Sequence, residues 1–108
     1  MNHFLDWHNF QGSNPEKFFK NTLWTGKHVM VGLNCLEPNQ QQPVHAHSGA
    51  DKFYFVLSGT GLFTVGDEER TVASGMVVLA PANIPHGVMN SGAERLSLLV
   101  AIAPGISK

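Results

Sequence analysis

A single cysteine, Cys35, excludes an internal disulfide framework from this chain of 108 residues, so packing and hydrogen bonds must hold the fold. Charge is equally sparse: 14% of the residues are Asp, Glu, Lys or Arg, and the formal net charge is −1. No run of Lys or Arg is longer than one residue, which leaves neither nucleic acid nor an anionic membrane an electrostatic footprint, and neither partner is expected. No apolar run approaches the roughly 18 residues of a membrane span. The opening MNHFLDWHNF lacks a basic stretch followed by an apolar one, so the expected location is cytoplasmic. Internal repeats and low-complexity segments are also missing. Cys35 itself lies in the apolar run VMVGLNCL, where a buried, unreactive thiol is expected.

What the chain does have is 43% hydrophobic residues, enough for one core and too few residues for two. The expectation is one domain over residues 1–108, with residues 1–12 as an N-terminal arm able to pair with a second subunit. Apolar stretches are short, rich in Val, Phe and Leu, and interrupted every eight to twelve residues or so by Gly, Pro, Asn or Ser, a strand rhythm and not a helical one. Eight strands are expected, near Phe18–Trp24, His28–Leu36, Phe53–Leu57, Gly61–Val65, Glu69–Ala73, Met76–Leu79, His86–Met89 and Arg95–Ala103. Gly66-Asp67 supplies a tight hairpin turn and LSGTG at 57–61 a second corner. NQQQP at 39–43 reads as a polar loop. The fold class is therefore all-β, a barrel or double-sheet jelly roll that limits exposed strand edges.

Six histidines are present, and His45, His47 and His86 stand out by spacing. Side chains two apart on a strand share a face, so His45 and His47 can aim into one interior space. Neutral imidazole suits zinc, iron, copper and nickel, and a third histidine from a neighbouring strand would complete a facial set with open positions. The pair alone is equally compatible with a solvent-facing strand.

The segments PVHAHSGADKFYFVLSGTG and GMVVLAPANIPHGVMN add context. Together they resemble the two motifs of the cupin superfamily, G-x5-H-x-H-x3,4-E-x6-G and G-x5-P-x-G-x2-H-x3-N, in the small single-domain (cupin 2) form. His45, His47 and Gly59 match the first; Gly75, Pro81, His86 and Asn90 match the second, with Asn39 and Asn83 in place of glycines. Asparagine is the next most tolerant residue of left-handed backbone, so both departures are mild. The resemblance covers residues 30 to 103. It implies a conical double-stranded β-helix barrel with one divalent metal ion (iron, manganese, nickel, copper or zinc) on His45, His47 and His86, and a homodimer joined through the Phe53–Phe55–Leu57 face and the arm.

One departure is not mild. Where cupins usually supply a glutamate ligand, this chain has Lys52, and a protonated lysine cannot ligate and repels a cation. Asp51 is the nearest carboxylate, but neighbours on a strand face opposite sides. Three readings follow: a three-histidine site completed by water, a bulge that turns Asp51 inward as a ligand, or a scaffold without metal. The first resembles the carboxylate-free iron centres of cupin dioxygenases that cleave thiols or diketones. Its metal would keep full positive charge and favour a small anionic chelating substrate.

Tyr54 and Val56 share the Lys52 face, so Tyr54 and Lys52 are the visible candidates for a catalytic acid or base, against ordinary core packing. His3, His8 and His28 read as surface or packed histidines. The favoured function is a metal-dependent oxygenase or related oxidoreductase. Alternatives are a metal-assisted isomerase or lyase, or a non-catalytic small-molecule-binding module; a sensor with an attached DNA-binding helix-turn-helix finds no room in these residues.

Overall fold

The computed structural model describes residues 2–105, and they form nine strands after one short 3-10 turn at Trp7–Phe10. The strands are β1 (Phe19–Thr25), β2 (Met30–Leu36), β3 (Gln41–His45), β4 (Asp51–Ser58), β5 (Thr60–Val65), β6 (Glu68–Ala73), β7 (Val77–Ala80), β8 (His86–Asn90) and β9 (Leu96–Ala103). They pair antiparallel into a five-stranded sheet ordered β1-β2-β9-β4-β7 and a four-stranded sheet ordered β3-β8-β5-β6. The inner faces meet in one core: Leu36, Tyr54, Val56, Leu98 and Val100 from the first sheet, Phe63, Val72 and Val88 from the second. Each fully buried leucine or valine there contributes about 1.5–3 kcal/mol. The expected all-β jelly-roll barrel is what forms.

Corners fall where the turn chemistry places them. Gly59 (φ 90°) separates β4 from β5, and a Cβ there would lie 2.5 Å from the Arg95 carbonyl oxygen, so only glycine fits. Asn39 (φ 73°) and Asn83 (φ 68°) take the left-handed conformation. In the β5–β6 hairpin, Gly66 alone of the two turn residues has positive φ, 61°, the requirement of the type II′ turn.

Two expectations change. β3 lies in what reads as the polar loop 39–43, because two glutamines and Pro43 carry no strand signal. The strand forms at the edge of its sheet, where the missing N–H of Pro43 breaks no ladder. β2 begins at Met30 and not near His28, since the chain turns first, Gly26 N donating to Val29 O at 2.7 Å. The arm, in its described part, lies along its own chain: Asn21 Nδ2 donates to Phe10 O (3.1 Å) and Ser97 Oγ to Gln11 Oε1 (3.0 Å). Cys35 is fully buried, as expected, beside Ser97 Oγ.

Candidate metal centre

His45 ends β3, His86 opens β8, and the two are direct cross-strand partners. The register shifts between Gln42 and His45, and this irregularity lets both side chains face inward although they stand three positions apart. His47 lies just past the end of β3, in the connection to β4. It shares the site with His45 although it lies outside the hydrogen-bonded strand. One ring nitrogen from each histidine lies within 4.8 Å of the others, and the ring centroids are 4.5 to 5.6 Å apart.

The hydrogen bonds orient the rings. His45 Nδ1 lies 2.9 Å from Pro43 O and His86 Nδ1 3.0 Å from Ile84 O. A carbonyl only accepts, so in each neutral ring Nδ1 carries the hydrogen and Nε2 presents a lone pair. His45 Nε2 is 3.2 Å from His47 Nε2. His86 Nε2 is buried with no hydrogen-bond partner among the described residues. Such an orphan costs about 1–3 kcal/mol unless something fills it. A divalent ion, which takes imidazole nitrogen at roughly 2.0–2.1 Å while the other nitrogen donates to a carbonyl, fits this donor set. Burial is the largest cause lowering the pKa of His47 and of His86, and the Lys52 charge lowers both further. Both therefore stand ready as neutral ligands.

Beside the histidines opens a cavity of about 320 Å³ lined by His45, His47, Gln42, Lys52, Lys20 and Asn34, with Met30, Val100 and Ile102 on its apolar side. Lys52 is 6% exposed. Burial, aided by Lys20, pushes its pKa down to about 8.

The family model of the cupin domain matches residues 32–102. This chain belongs to the cupin family. Among solved structures, the TT1209 protein of Thermus thermophilus aligns with this cupin at a TM-score of 0.91 and 40% identity, over 95% of this chain and 98% of that one. The uncharacterized protein SCO3923 of Streptomyces coelicolor is 36% identical over 78 residues, 72% of each chain. The uncharacterized protein YrkC of Bacillus subtilis is 30% identical over 92 residues, which make up 80% of this cupin and 50% of YrkC. The cupin thus spans about half of YrkC's length.

The structure brings together His45, His47, His86 and Lys52, sets the Tyr54 ring beside His86 (6.2 Å between centroids), and leaves Asp51 out. Asp51 is exposed, and its Oδ1 accepts from Ala82 N at 2.9 Å. No bulge intervenes at 51–52, where Asp51 and Lys52 pair in register with Ala103 and Ile102. Alternation therefore sends Lys52 in and Asp51 out, which corrects the expectation of Asp51 as a ligand. Tyr54 faces the interior as expected but lies below the cavity, fully buried, its ring against Phe63 (5.2 Å between centroids). Its hydroxyl donates to Gln42 Oε1, and burial raises its pKa far above the ordinary phenol value. The phenol is therefore neutral and engaged with Gln42.

Gln42 and Lys20 are site residues that the sequence reading missed. Gln42 points inward only through the register shift beside it, and no sequence period marks an irregularity at a strand edge. Lys20 is exposed and borders the cavity from β1, opposite Asn34, a position indistinguishable in sequence from an ordinary surface lysine.

Proposed function

We propose that this cupin binds one divalent metal ion through His45, His47 and His86 and acts as a mononuclear oxygenase or related oxidoreductase on a small anionic chelating substrate. The observation that carries the reading is the buried, unpartnered Nε2 of His86 aimed with its two neighbours at one point. When bound, the ion would supply Lewis acidity and adjacent open positions for substrate and dioxygen. The protein's own contribution is orientation. The Pro43 and Ile84 carbonyls hold two imidazoles in the ligating tautomer, and the Lys52 ammonium draws an anion toward them.

A non-catalytic binding module is the second reading. It is favoured by the absence of a carboxylate among the described cavity residues, whose titratable side chains besides the histidines are Lys52 and Lys20, and by the engagement of the Tyr54 hydroxyl, which also weigh against isomerase or lyase chemistry. A maize relative, auxin-binding protein 4, is 33% identical over 71% of this chain and 42% of its own length. Its name describes ligand binding and no reaction. One domain over 1–108, a cytoplasmic location and a homodimer complete the proposal. The outer face around Phe53, Val77 and Leu79, all exposed, supports the dimer.

Elemental analysis of the unchelated protein beside His45→Ala and His86→Ala tests the centre. About one metal per chain, lost in both variants, is the expected result, and oxygen consumption with chelating anions then separates oxygenase from binder. No metal in the wild type after supplying iron, manganese, nickel, copper and zinc would overturn it.

A further inference from the structure

The cavity holds a charge without a counter-charge. Lys52 is buried, yet no side chain or carbonyl hydrogen-bonds or ion-pairs with its ammonium among the described residues, whose ion pairs are His8–Asp6 and Arg95–Glu37. The one contact it makes through charge is with the face of the Tyr54 ring, 4.6 Å from the centroid. Buried ammonium groups are paired in stable proteins because desolvation is otherwise uncompensated. No Asp or Glu lines the cavity, and Lys20 adds a second positive charge.

Gln42 adds a directed donor. The Tyr54 hydroxyl can donate only to Oε1 of that amide, so the amide nitrogen turns the other way. That nitrogen has no partner among the described residues, and Gln42 lines the cavity. The Lys52 ammonium and an amide N–H thus face a space whose lining holds no carboxylate, with Lys20, an exposed residue, bordering it.

We propose that this end of the cavity is an anion subsite distinct from the histidines, in which Lys52, with Lys20 and the Gln42 amide, receives a carboxylate of the substrate. The substrate class is then a small dicarboxylate or keto acid, with one acidic end at Lys52 and its chelating end toward His45, His47 and His86. The chelating end rests on the proposed metal centre; the subsite does not. Carboxylate is favoured over phosphate because no arginine and no helix N-terminus lines the cavity. Its volume, about 320 Å³, lies at the low end for ligand sites. Met30, Val100 and Ile102 leave a short aliphatic chain an apolar wall.

The test is calorimetric titration of the full chain, after chelator treatment, with malonate, dimethyl malonate and inorganic phosphate. Malonate is expected to bind, with the ester and phosphate at least about tenfold weaker, and Lys52→Met to lower malonate affinity by about tenfold or more, the range for a lost charged hydrogen bond. Lys20→Met should lower it by a smaller factor. Lys52→Gln serves the same purpose should Lys52→Met fail to fold. Malonate binding unchanged in the Lys52 variants, phosphate binding as tight as malonate, or no malonate binding would each overturn the subsite. Metal content of the same variants keeps the two ideas apart. Normal metal with malonate indifferent to Lys52 sinks the subsite alone, whereas Lys52-dependent malonate binding without metal sinks the metal centre alone.

Discussion

The barrel interior has two ends built on the same strands, and they differ in what alternation delivers to them. Along β4 the inward residues are Lys52, Tyr54 and Val56; along β9 they are Ile102, Val100, Leu98 and Leu96. At the Val56–Leu96–Leu98 end the side chains are completely buried and interlock with Phe63 and Val88. At the Lys52–Ile102 end the same strands border the cavity and the histidines. Two register steps along a strand separate a close-packed core from a polar chamber, with the Tyr54–Gln42 hydrogen bond at the junction. Packing is continuous up to the point where polar groups need room for a ligand, and stops there.

The largest expected effect breaks the contrast from the closed end. Leu98→Ala should cost about 2–5 kcal/mol in urea unfolding, because it opens a void among atoms that cannot collapse. Ile102→Ala should cost less than half of that, since it enlarges a space that already exists. Equal losses would show that the two ends pack alike.

A second change reverses sign. At about 1.4 kcal/mol per pKa unit, holding the Lys52 ammonium in its buried place costs roughly 3 kcal/mol, so Lys52→Met should stabilise the metal-free protein by about that much at pH 7. The folded-state pKa of about 8 lies below the ordinary 10.5, so between these values the unfolded chain holds more protons and wild-type stability rises with pH. The gain from Lys52→Met is therefore full below pH 8 and fades toward pH 10.5. Chemical denaturation at both ends of that window checks it, and a gain that does not change with pH would refute the buried-charge account.

The smallest effect lies at the junction. Tyr54→Phe leaves Gln42 Oε1 without its donor and should cost about 1–3 kcal/mol, while Tyr54→Phe with Gln42→Leu should recover most of that loss. A double variant no better than the single would show that the unsatisfied Gln42 oxygen is not the source of the loss.

The amino-acid sequence by itself determined the all-β class, the corners at Gly59, Gly66, Asn39 and Asn83, the inward face shared by Lys52, Tyr54 and Val56, and the three histidines. Each of these follows from local rules: period two along strands, φ preferences at turns, and ligand chemistry at motif spacing. Only the tertiary structure decided the rest. β3 exists because β8 is there to pair with it, and Gln42 joins His45 inside because the register slips between them. His47 arrives from beyond the strand end, Tyr54 is spent on Gln42, and Asp51 is tied to the Ala82 amide. The physical reason is common to all of them: strand edges, register shifts and side-chain partners are contacts between segments distant in the chain, and no local pattern encodes which partner will be there.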